Sequence, residues 1–148
     1  MWTIHKEIRT VARQIGLGSD RFRRLDEHRE HKVLQDVKRH FLADARTASW
    51  WECFRYASDS RRLRQPHLLL PELCPNEGKK VWFVPIGEQE GVYDALPEAA
   101  SRLIHACPFI PAYAVADKKL GWMFVENPRH LMFATGAAAL SRLDAISE

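Results

Sequence analysis

The sequence predicts one α+β domain over residues 1–148: a mostly antiparallel four-stranded sheet with N-terminal helices and one inserted helix packed on it. Three observations carry this reading. Apolar residues recur at helical spacing through the first 46 residues, β-prone runs cluster after residue 80, and the last three runs are joined by connectors of hairpin length. With 148 residues, 46% of them hydrophobic, the chain is long enough to bury a core without disulfide or metal staples.

Ile4, Ile8, Val11 and Ile15 fall on one stripe and predict a helix over 2–15. The Gly16-Leu17-Gly18-Ser19 segment should end it, because glycine readily takes the left-handed conformation of a helix C-terminus. A second helix is expected from 27 to about 45. Val33, Leu34, Val37, Phe41 and Leu42 form its apolar face, and Arg29, Lys32, Lys38, Arg39 and Arg46 decorate the rest. Residues 47–64 mix helical spacing with aromatics that suit strands, so the pattern leaves their structure open.

Pro66, Pro71, Pro75, Asn76 and Gly78 disfavour any long element over 65–79, although Leu68-Leu69-Leu70 should tuck part of this loop against the core. The sheet part occupies 80–148. Residues 81–85 read as an interior strand, since near-continuous apolarity suits burial on both faces. Leu96, Ala99, Ala100, Leu103 and Ile104 predict a helix over 95–106, with Pro97 in its first turn and Asp94 or a neighbour as cap. Strands at 112–116, 122–126 and 131–135 should form a meander, followed by a short terminal helix beginning after Gly136. Both faces of at least part of the sheet should be shielded, because residues 81–84 and 122–125 are apolar at consecutive positions, and Trp122 should be a buried packing residue.

The longest apolar runs fall far short of the roughly 20 residues that span a bilayer, and the charged N-terminus offers no secretory signal. A cytoplasmic protein with no membrane association is expected. Cys53, Cys74 and Cys107 are unpaired in pattern and read as bystander or buried thiols. No cofactor motif is present: neither a P-loop nor a dinucleotide-binding glycine turn occurs. Nor is there a nucleophile elbow. His28 and His31, three residues apart beside Glu27, lack the further ligands a zinc site needs, so no metal is assigned.

Charge is uneven: residues 1–65 hold 15 Lys and Arg against 9 Asp and Glu, whereas 66–148 hold 7 against 10. The basic half contains Arg55, Arg61, Arg62 and Arg64 close to Trp50, Trp51 and Tyr56, a combination that could contact an anionic partner such as a single nucleic-acid strand. An acidic second half argues against a continuous basic groove.

Tyr113, Val115, Trp122, Glu126, Asn127 and Gly136 stand in a pattern, Y-x-V then W-x-x-x-E-N then glycine, following an amphipathic helix. Over about residues 95–136 this resembles a family of small uncharacterised bacterial proteins. Pro128 and Arg129 occupy the positions where that family carries paired histidines, with His130 shifted by one. The resemblance implies no activity.

Glu126, Asn127, Arg129 and His130 are the candidate partner contacts, because binding residues concentrate on loops held by rigid strands. The expected function is a non-enzymatic bacterial protein-interaction module, of immunity or antitoxin type. Nucleic-acid binding is one alternative. A small hydrolase or nuclease using His130 and Glu126 as an acid–base pair is another, since histidine titrates near neutral pH. No catalytic residue is assigned.

Overall fold

Residues 3–76 and 78–147 are described by a computed structural model. Thr3 caps the first helix, α1 (Ile4–Gln14), its Oγ1 accepting the Lys6 N–H at 3.2 Å. Ile8 and Ala12 are buried on its inner stripe, and Gly16 at φ +75° turns the chain out of the helix. Residue 2, included in the expected helix, lies outside the described residues.

The second helix, α2 (Glu27–Phe41), starts where Asp26 accepts the Arg29 N–H. It stops four residues short of the expected end at 45. Leu42 turns extended and bridges Phe54, while the Ala43 N–H donates to the Cys53 carbonyl at 2.8 Å, so non-local pairing replaces the last helical turn.

Among the described residues the sheet has seven strands, not four, and every neighbouring pair is antiparallel. The four expected strands are present as β3 (Val81–Ile86), β5 (Ala112–Ala116), β6 (Met123–Glu126) and β7 (Leu131–Thr135). The additional ones are β1 (Phe22–Arg24), β2 (Ser58–Arg62) and β4 (Tyr93–Ala95), giving the order β1-β4-β3-β5-β6-β7-β2. The ambiguous segment 47–64 thus resolves into a 3-10 turn at Trp50–Glu52 and the edge strand β2.

Strand alternation sorts the core into two layers. Val81, Phe83, Tyr113, Val115, Phe124, Met132 and Ala134 face one side, against Ile8 of α1 and the helices α4 (Pro97–Ala106) and α5 (Ala137–Ala145). Trp82, Val84, Ile86, Ala114, Ala116, Met123 and Val125 face the other, where Val37 and Phe41 of α2 and the fully buried Trp50 cover them. Both faces of β3, β5 and β6 are shielded, as expected of consecutive apolar residues, whereas the edge strand β2 is largely exposed.

The Pro-rich loop contributes a short turn, Pro66–Leu69, and a single helical turn, α3 (Leu70–Leu73), whose Leu70 and Leu73 are completely buried. Asp94 does not cap α4. It is a β4 residue paired with Lys118 at 2.7 Å, and the capping position belongs to Leu96, which makes no side-chain cap bond. Trp122 is buried as expected, at 2% exposure, with its ring tilted against Phe124.

Candidate functional site

The turn between β6 and β7 brings the four expected contact residues together, but in different roles. Asn127 is buried and shapes the turn: its Oδ1 accepts the N–H groups of Arg129 and Leu131, both at 3.0 Å. A side chain spent on its own backbone in this way stabilises a turn conformation. The Arg129 side chain is exposed and has no partner among the described residues. His130 adopts φ +65°, a left-handed conformation that is uncommon for a residue other than glycine.

Glu126 and Tyr113 are cross-strand partners on the same face of the sheet. Tyr113 is completely desolvated, and its hydroxyl donates to Glu126 Oε1 at 2.8 Å. Burial, then the nearby Glu126, hold the phenol well above its ordinary pKa, so it stays a donor. The other carboxylate oxygen, Oε2, accepts from His130 Nδ1 at 2.9 Å. The Glu126 side chain is 7% exposed and that of His130 is 74% exposed. The arrangement anchors an open imidazole through a buried carboxylate to the sheet core.

Two further histidines lie within electrostatic reach of this pair. His67, from the Pro66–Leu69 turn, stacks on His105 at the end of α4, with 3.1 Å between Nε2 and Nδ1. One ring must accept while the other donates. Burial lowers the His67 pKa; Glu126 opposes that shift, while His105 and His130 add to it, which places all four groups within one electrostatic neighbourhood. Nothing in the local sequence around Pro66-His67 signals this meeting across 38 positions.

The arginines considered for an anionic partner are partly committed to the fold. Arg61 Nη1 donates to the carbonyls of Leu143 and Ile146, both at 2.7 Å, closing the C-terminal end of α5. Arg62 reaches the Arg129 carbonyl and Arg55 that of Leu42, each at 3.5 Å. Trp50 belongs to the core and offers no stacking face. Among the described residues no group of three or more His, Cys, Asp or Glu is arranged to hold a metal ion. No helix among them is long and apolar enough to cross a membrane.

A model described as Family of unknown function (DUF6756) matches residues 1–147, far beyond the 95–136 stretch that carries the sequence resemblance. No curated protein and no solved structure matches the chain.

Proposed function

This chain belongs to the DUF6756 family of unknown function, and from that premise we propose that it is a non-enzymatic protein-interaction module whose contact edge is the β6–β7 turn. One observation carries the reading. His130 is a non-glycine residue in a left-handed conformation, open to solvent, and pinned by a buried carboxylate. Such strain costs roughly 1–3 kcal/mol and persists only where the surrounding structure enforces it, which is the pattern of preorganised contact sites. Beside it Arg129 projects an exposed guanidinium suited to a carboxylate on a partner.

The finer reading is a bacterial, cytoplasmic protein of immunity or antitoxin type that blocks a single partner. A secreted-toxin gene immediately upstream would favour it; a metabolic operon would count against it. The direct test places a photo-crosslinking residue at position 129 in native cells, with the same residue at Lys119 in the neighbouring hairpin as control. A stoichiometric protein adduct from 129 alone is expected. Equal adducts from both positions, or none from 129, would overturn the assignment of this edge.

A second reading is supported by the Glu126–His130 distance of 2.9 Å: a carboxylate-oriented imidazole could act as a general base in hydrolysis. It predicts that His130→Ala abolishes turnover of ester and nuclease substrates, whereas the interaction reading predicts no turnover by the parent protein.

A further inference from the structure

At the opposite side of the sheet order, beyond the β1 edge, α1 and β1 enclose a groove of about 590 Å³. The volume is in the range of small-molecule sites. Its walls divide into two chemistries. Ala12, Leu17, Phe22 and Tyr93 supply an apolar floor, with the Phe22 and Tyr93 rings stacked at 4.8 Å. Lys6, Arg9, Arg13 and Arg24 supply the cations, and among the described residues no Asp or Glu lines the groove.

The cations are presented in a geometry that the fold prepares. Arg9 and Arg13 are one turn apart on the exposed side of α1, and neither guanidinium has a partner among the described residues. Arg24 is held in place: its Nε and Nη2 donate to the two oxygens of Glu30 at 2.8 and 2.9 Å, and Glu30 Oε2 also accepts the Val92 N–H at 3.0 Å. Burial works against ionisation of Glu30, but these hydrogen bonds keep its pKa below the usual carboxylate range. Arg24 therefore sits on a fixed anionic support with Nη1 left over.

His5 closes the groove beside Arg24. Its Nε2 donates to the Gln89 carbonyl at 2.6 Å and its Nδ1 accepts the Tyr93 hydroxyl at 2.7 Å, the neutral tautomer that uses both nitrogens. Burial, then the Arg24 charge, lower its pKa.

We propose that this groove binds a small organic phosphate, its phosphoryl oxygens bridging Arg9, Arg13 and Arg24 and its apolar body lying along Leu17, Phe22 and Tyr93. Guanidinium groups match phosphate in planar, paired hydrogen bonds. The site is separate from the β6–β7 turn and independent of its reading.

The test is titration of the isotope-labelled full chain by NMR with phenyl phosphate, inorganic phosphate and benzyl alcohol. Phenyl phosphate at up to about 10 mM, enough to detect millimolar binding, should shift amides of α1 and β1 and raise the His5 pKa. Inorganic phosphate, lacking the apolar body, and benzyl alcohol, lacking the charge, should each bind at least about tenfold more weakly. Arg9→Gln/Arg13→Gln, two exposed substitutions expected to change thermal stability little, should lose at least about tenfold in affinity for phenyl phosphate. Absence of shifts, shifts centred elsewhere, or equal affinity for inorganic phosphate would overturn the proposal.

Discussion

Replacing Gly136 with alanine tests the packing of the meander against its own turn. Gly136 leads from β7 into α5 at φ +92°, a conformation L side chains rarely adopt. An added Cβ would collide with the Gly121 carbonyl and lie 2.7 Å from Trp122 Cα and 3.0 Å from Trp122 Cβ, against backbone that cannot rotate away. Enforcing the dihedral costs about 1–3 kcal/mol. Overpacking adds about 1–3 kcal/mol. Together these remove a large share of the ~5–15 kcal/mol that holds an ordinary domain folded. At roughly 2–4 °C per kcal/mol for a chain of this size, Gly136→Ala should lower Tm by about 5–20 °C. Thermal unfolding followed by circular dichroism measures this, with Gly87→Ala as control, since an added Cβ at Gly87 meets nothing within 4 Å. A Gly136→Ala midpoint indistinguishable from that of Gly87→Ala would refute the argument.

Trp122→Ala should cost ~3–5 kcal/mol, whereas Arg129→Ala should leave Tm almost unchanged while weakening partner capture; reversed effects in thermal unfolding would mean that core and contact surface are interchanged. His5 and His67 both hold protons less readily in the folded chain than in the unfolded one. Stability should therefore fall as pH drops below about 6.5. Urea unfolding at several pH values between about 7.5 and 5.5 should show this fall, and His67→Gln should flatten it; a slope untouched by that change would remove His67 from the account. Burial pushes the Cys74 thiol up to about 12 and the Cys107 thiol up to about 11, whereas Cys53 is only half-buried. Thiol-reactive dye under native conditions should label Cys53 first, and faster labelling of Cys74 would contradict its burial.

Where local pattern and final structure coincide, the reason is that one element holds the whole signal. The Ile4, Ile8, Val11 stripe makes α1, and the apolar runs with their turn residues make the β5–β7 meander, whose Asn127 performs the backbone bonding its residue type favours. Burial of Trp122 follows from the same runs. The pairing of Glu126 with His130 was visible only as a spacing, because residues four apart across a turn face each other only if the backbone bends suitably. Here His130 at φ +65° lets the imidazole meet the carboxylate.

Local pattern was enough for an α+β domain, the helices at its start, the meander near its end and the two-sided burial of the sheet's middle strands, since each depends on periodicity within a few residues. Tertiary structure alone decided the rest. β1 and β4 have three residues each and β2 reads Ser-Asp-Ser-Arg-Arg, so none buries enough of its own apolar surface to declare a strand; their partners' unpaired backbone groups recruit them. The meeting of His67 with His105, the capture of α5 by Arg61 and the alignment of Arg9 and Arg13 with Arg24 likewise join distant positions. Such contacts exist only once burial and hydrogen bonding across the whole chain have fixed where each backbone runs.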